Sequence, residues 1–265
     1  YVWESSQITE RADFERAKVA ALDDIRFRID TYVNVLRAAG GLFAAGQNVT
    51  RDQFRSYVQA LEIPERHPGI QGIGLSLRVR PQHLADVTRD LRLNDFPDFR
   101  VWPEEPQRDE YHTIVLLQPL DDRNRAAIGY DMSTNVTRAQ AMAKARDSGE
   151  AAATAPVTLV QEIDPDAQQR GFLIYVPVYM ARGTPPTVEE RRESLYGFVY
   201  APFRAHDLFA AIFGTRSGDV AFSIYDGKNL FYASSPPPPE SPRYQSTEMV
   251  NVAGREWTVH ITSLY

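Results

Sequence analysis

The sequence contains no cysteine. That excludes disulfides, thiolate metal ligands and a cysteine nucleophile. It leaves the compartment open, because an oxidising space permits disulfides without requiring them. Positive charge is also short: 29 basic side chains stand against 35 acidic ones, a formal net charge of -6. A nucleic-acid partner calls for a basic surplus or stripe, and neither is present, so no nucleic acid is expected. No run approaches the ~20 apolar residues of a membrane span. There is no signal peptide and no initiating Met before the abrupt start at Tyr1-Val2-Trp3. With the equally abrupt end at Ser263-Leu264-Tyr265, the chain reads as a fragment of a longer protein.

Catalytic signatures are sparse too. The five histidines, His67, His83, His112, His206 and His260, form no HExxH, HxH or other paired ligand spacing. No G-x-S-x-G elbow supports a serine nucleophile. No metal and no cofactor is expected. The glycines of "GIQGIGLSLRV" (69–79) fit neither a P-loop nor a dinucleotide fingerprint; in a strand they read as close backbone approach or a bulge. The densest acidic group is Asp109, Glu110, Asp121, Asp122 and Asp131. Paired carboxylates could serve acid–base chemistry or hold a cation. Asp121 and Asp122 lie in an expected turn, however, where aspartate bonds its own backbone, and a DxDxDG calcium loop is absent. Asp109 and Asp131 each border a strand of the most apolar stretch, where core meets solvent.

What is present is pattern. Residues 9–45 read as one helix, with Leu22, Ile25, Ile29, Val33, Leu36 and Phe43 near three- and four-residue steps. Such a helix is more than about 50 Å long, enough to pack on its own domain or to act as a stalk beside a second copy. Thr50 and Gln53 have the spacing of a capping box. From Gly69 the pattern turns to strands: "GIQGIGLSLRV", a helix over 81–93, then strands at "FRVWPEE", "HTIVLLQPL" and "AAIGYDM". Ser133 or Thr134 would cap a helix through Arg146 that Gly149 stops. "APVTLVQE" and "GFLIYVPVYM" read as a strand pair, and "RGTPPTVEERRESL" as a loop with a short helix that marks a boundary. A second, shorter set follows: a strand in "YGFVYAPFR", a helix in "AHDLFAAIFG", and strands in "VAFSIYDG", "NLFYAS", "QSTEMVNVAG" and "REWTVHIT". The architecture is α+β: a long helix, then two units, each an antiparallel sheet with helices on one side.

A ligand pocket needs apolar walls and a few orienting polar groups. Trp102, Tyr111, Ile114, Leu116, Tyr130, Met132, Phe172 and Tyr175 could supply walls, and Asp109 and Thr154 the polar contacts.

The stretch "RDEYHTIVLLQPLDDRNRAAIGYDM" (108–132), the helix "RAQAMAKARDSGEAAATAPVTLVQE", "GFLIYVPVY" and "GFVYAPFRAHDL" together resemble the CHASE domain. This is the extracytoplasmic sensor module of bacterial histidine kinases and cyclases and of plant cytokinin receptors. The resemblance covers about Pro68 to Leu208 and extends more weakly to the C-terminus. It implies a stalk helix followed by two PAS-like domains. The segments would be 1–66 for the stalk and a short helix, 67–185 for a membrane-distal ligand-binding domain, and 186–265 for a membrane-proximal one. It also implies membrane spans on both sides, a homodimer through the first helix, and a place in the periplasmic part of an inner-membrane receptor whose output is a kinase or a cyclic-dinucleotide enzyme. The fragment itself would not be an enzyme. In cytokinin-binding relatives an aspartate opening a pocket strand bonds the adenine-like base. The Asp-Glu-Tyr motif puts that role on Asp109, with Asp131 as the alternative. Gly129 and Tyr130 would add backbone contacts, and Thr154 would close the pocket. After that motif the sequence departs from the plant pattern, with a "QPLDDRNR" turn typical of bacterial members. Three classes remain: a small-molecule sensor, an enzyme with a carboxylate pair, and an ectodomain for protein interaction. A closed apolar pocket with an acidic side chain favours the first, two carboxylates in an open cleft the second, and a filled first unit with an exposed apolar patch the third.

Overall fold

Val2–Ala45 forms one helix, α1. The structure is a computed structural model and describes residues 2–46, 49–214 and 219–264. Along α1, Leu22, Ile25, Ile29, Tyr32, Leu36, Ala39 and Phe43 are buried in unbroken steps of three and four. That spacing keeps one stripe of a helix on one side. Tyr32 takes the place expected of Val33, and its hydroxyl donates to Pro68 O at 2.7 Å. Thr50 and Gln53 form the expected capping box on α2 (Arg51–Ala60), which buries Phe54 and Val58. A single turn, α3 (Ile63–Arg66), follows.

Two antiparallel sheets carry the rest. The first contains β1 (Ile73–Val79), β2 (Tyr111–Gln118), β3 (Ala152–Ala153), β4 (Val157–Thr158), β5 (Arg170–Tyr179) and β6 (Leu195–Arg204). Its order is β2-β1-β6-β5-β3, with β4 also on β5. The helices along this part are α4 (Leu84–Asn94), α5 (Asp122–Ala127), α6 (Val136–Ser148) and α7 (Val188–Ser194). After α8 (Ala205–Phe213) come β7 (Val220–Asp226), β8 (Asn229–Ala233), β9 (Gln245–Val252) and β10 (Arg255–Ser263), ordered β8-β7-β10-β9.

Several expectations change. β6, assigned from sequence to the second unit, lies between β1 and β5 in the first sheet. The sheets therefore divide after Arg204, not at 185/186. The charged loop before β6 is the connection of a β5–β6 hairpin, closed by the α7 capping box of Thr187 and Glu190. The first sheet also has helices on both faces: α1 packs against β5 and β6 from one side and α6 against β5 from the other. "FRVWPEE" and "AAIGYDM" are not strands but meet at one isolated bridge, Trp102 with Tyr130, and Asp131 of the latter bridges Thr113 of β2. Asp121 accepts from Asn124 N at 2.8 Å and starts α5, so the expected turn and the first two residues of the expected strand, Ala126 and Ala127, are spent on a helix. Of "APVTLVQE" only Val157–Thr158 pairs. Asn135, rather than Ser133 or Thr134, caps α6, accepting from Arg138 N at 3.0 Å. Gly149 ends it at φ 75°, as the sequence indicated.

One aromatic group joins the sheets. Phe172 stacks on Phe203 with centroids 4.7 Å apart and meets Trp257 of β10 edge-on at 5.0 Å. Both Phe172 and Trp257 are fully buried. Ala153 N donates to Ala253 O at 2.9 Å, a backbone bond from the first sheet to the β9–β10 turn. Phe172→Ala should therefore lower stability by ~3–5 kcal/mol, read as a lower urea midpoint at an unchanged slope.

Candidate ligand-binding site

Strand alternation sets the site. Tyr175, Tyr200, Gly74 and Leu117 are register partners across β5, β6, β1 and β2. Phe198, Ser76 and Ile114 form the adjacent row. Residues directly opposite one another point the same way, so both rows face α6. This helix lays Arg138, Ala141, Met142 and Ala145 over them, and Ile128, Tyr130 and Met132 close one end. Gly74 has a steric reason: a Cβ there would come within 2.8 Å of the Tyr200 ring. That is the close approach expected of the strand glycines.

The layer is apolar but holds polar groups. The Tyr175 hydroxyl donates to Met132 Sδ at 2.9 Å. Arg138 is buried; it donates to Thr158 O at 3.1 Å and to the Tyr130 hydroxyl at 3.4 Å, with its guanidinium 5.3 Å from the Tyr130 ring. Among the described residues no carboxylate pairs with it. The Tyr200 hydroxyl and Ser76 Oγ are buried with no hydrogen-bond partner. Burial pushes both Tyr175 and Tyr200 above the ordinary phenol range, with the Arg138 charge acting against it. The layer is closely packed, and the clefts described for this unit open elsewhere: one of about 730 Å³ is lined in part by Phe43, Arg51, Leu75, Leu91 and Tyr196.

The residues singled out from sequence divide into groups. Trp102, Gly129, Tyr130 and Asp131 come together beside β2. Gly129 N donates to Ile114 O at 2.8 Å, Ile114 N to Tyr130 O at 3.0 Å and Trp102 N to Gly129 O at 3.0 Å. These backbone groups extend the sheet edge and are occupied. Gly129 sits at φ 83°, and a Cβ on it would lie 2.0 Å from Arg100 O; no other residue fits. Asp131 is fully buried. Its Oδ1 accepts from His112 N and Ser133 N, both at 3.0 Å, and from Ser133 Oγ at 2.6 Å. Its Oδ2 has no hydrogen bond and lies 3.4 Å from Arg108 Nε. Asp109, the first choice for the acidic contact, is exposed. Side chains alternate at the start of β2, and the buried acid reaches that strand end from the 131 turn instead. Tyr111 is buried on the α1 face with the Arg108 guanidinium 5.1 Å from its ring. Met132 is in the layer. Thr154 is buried, but its Oγ1 accepts from Leu173 N at 3.1 Å, so it completes strand pairing. Phe172 faces away from α6, into the aromatic group between the sheets; the one-residue alternation from Leu173 excludes it from the layer.

Sequence reasoning missed Arg138, Tyr200 and Ser76. The signal for Arg138 was its spacing of three, four and seven from Ala141, Met142 and Ala145, which puts a cation on an apolar face. For Tyr200 it was alternation with Phe198.

A family model described as the CHASE domain matches residues 47–238. The chain belongs to the CHASE-domain family. No curated protein matches it. A CHASE domain is an extracytoplasmic sensor module of membrane receptors, and its work is sensing, not catalysis. In this CHASE domain the matched span takes in the whole first sheet, α8, β7 and β8, and so the complete layer under α6. Among the described residues no His, Asp or Glu cluster could hold a metal, and no helix is long and apolar enough to cross a membrane.

An ion cluster secures the end of β2 beside this layer. Arg78 Nε meets Glu110 Oε2 at 2.6 Å and His112 Nε2 meets Glu110 Oε1 at 2.8 Å. Burial raises the Glu110 pKa, but the bonds from His112 and Arg78 outweigh it and hold the group at about 2. A depressed carboxylate pKa stabilises the fold above the unfolded value and loses that contribution as pH falls through the folded one. Glu110→Gln should thus destabilise the CHASE domain at pH 7 by on the order of 1 kcal/mol after solvent screening. In denaturant titrations the difference from the parent chain should shrink between about pH 4.5 and pH 2.

Proposed function

We propose that the layer between α6 and the first sheet is the ligand pocket of a PAS-like sensor unit. The observation that carries this reading is the pair of buried, unpartnered hydroxyls, Tyr200 and Ser76, within apolar walls. A buried polar group without a partner costs about 1–3 kcal/mol, and a ligand that supplies the partner recovers that cost only when bound. Such a differential is what a sensor requires. Met132 and Met142, unbranched and adaptable, can move aside for an occupant. An adenine-type ligand would use Asp131 Oδ2, with a ligand N–H in the place that Arg108 holds at 3.4 Å.

The change would leave through the sheet. β5 and β6 form the floor of the layer, and α1 packs on their other face. We read the chain as the periplasmic part of an inner-membrane receptor, with membrane-spanning segments on both sides and a kinase or cyclic-dinucleotide enzyme as output. Family membership supports this. A homodimer along α1 belongs to the same reading: Ile8, Val19 and Phe27 stand out from the helix, 71%, 53% and 74% exposed.

A thermal-shift screen of adenine derivatives and other small metabolites tests the pocket. A ligand at about 100 times its Kd should stabilise by ~2.7 kcal/mol, and Met142→Trp, which fills the layer, should abolish the shift. No shift with any compound, or a shift that survives Met142→Trp, would remove the pocket from this layer. For the dimer, Phe27→Asp should lower the sedimenting mass from dimer to monomer without changing the melting temperature of the dissociated chain.

A further inference from the structure

Arg138 is the one residue of the layer whose chemistry names a ligand. Its guanidinium stays charged at any ordinary pH and carries five N–H donors. The structure offers it two neutral acceptors, Thr158 O at 3.1 Å and the Tyr130 hydroxyl at 3.4 Å. Two half-buried arginines elsewhere in the first unit have carboxylates: Arg78 meets Glu110 at 2.6 Å and Arg204 meets Glu162 at 2.8 Å. Arg138 is 4% exposed and, among the described residues, has no such partner. A buried cation lacking a counter-charge is strongly disfavoured, and the missing element is an anion.

The neighbours define what kind. Tyr200, fully buried, holds an O–H donor with no acceptor, and Tyr175 beside it on β5 spends its own on the soft sulfur of Met132. Thioether sulfur is a weak acceptor, and a carboxylate oxygen would outcompete it. The Arg138 charge is felt at both hydroxyls, acting on the ionisation of each. One fixed positive charge balances one negative charge, so a monoanion fits better than a phosphate dianion. Ile114, Leu117 and Phe198 surround the group with apolar surface, which suits a hydrocarbon body.

We propose that this CHASE domain binds a small apolar monocarboxylate, with Arg138 as its counter-ion and the Tyr200 hydroxyl as a second donor. The proposal rests on the layer being the pocket, and it turns the ligand away from the adenine class toward organic acids.

Titration calorimetry on the whole chain, with straight-chain acids from butyrate to octanoate and their primary amides, separates the possibilities. An acid should bind and its amide should bind at least ~10-fold more weakly, the share expected of a charge-assisted bond. Arg138→Met should weaken the acid ~10- to 100-fold and the amide by clearly less. Tyr200→Phe keeps the ring over Gly74 and removes only an unpartnered hydroxyl. It should weaken the acid several-fold while the free domain melts no lower than the parent chain, which keeps the test open should Arg138→Met misfold. Equal binding of acid and amide, or binding untouched by Tyr200→Phe and Arg138→Met, would overturn the anion. Adenine derivatives binding in the layer while every acid fails would also overturn it, with the pocket reading intact. Failure of both classes removes the pocket as well.

Discussion

The whole arrangement depends on a sheet that is buried on both sides. β5 and β6 give alternate residues to opposite layers: Phe172, Ile174 and Val176 to α1 and the second sheet, Leu173 and Tyr175 to α6. Neither layer can change without the other, because a strand has no slack between successive side chains. That constraint places the α6 layer and α1 back to back across the sheet. It also explains why the strands read as near-continuous apolar runs: burial of β2 is complete from Tyr111 to Gln118.

Several polar groups in such a setting are spent on holding the backbone. Thr154 closes on Leu173, Asp131 Oδ1 organises the turn before α6, and Asn124 Nδ2 ties α5 to Gln71 O at 2.8 Å and Pro119 O at 2.7 Å. Arg138 is buried with no carboxylate partner among the described residues and Tyr200 with no hydrogen-bond partner, and the two occupy one layer.

Long elements were legible in the residues and short ones were not. The α1 stripe, the Thr50–Gln53 cap, the glycine stop at Gly149 and strands β1, β2, β5 and β7 to β10 all follow from spacing. Bridges at Trp102 and Tyr130 read as strands because one apolar pair looks like the start of a longer ladder. The placement of β6 could not be read, because "YGFVYAPFR" carries no label for the sheet it joins; only its register with β1 and β5 decides that. In the candidate site, Tyr130, Met132 and Tyr175 were found as apolar wall residues. Arg138 was overlooked because a helical arginine is ordinarily solvated, and Phe172 was misplaced by a single step of alternation.

The stripe along α1 has a mechanical consequence. Seven side chains, Leu22 to Phe43, hold the helix against both sheets. Turning α1 about its long axis would drag that row into water, at ~1.5–3 kcal/mol for each large side chain. A lengthwise displacement keeps the same row facing the sheets and exposes less of it. The stripe therefore opposes rotation of the rod more than translation along it.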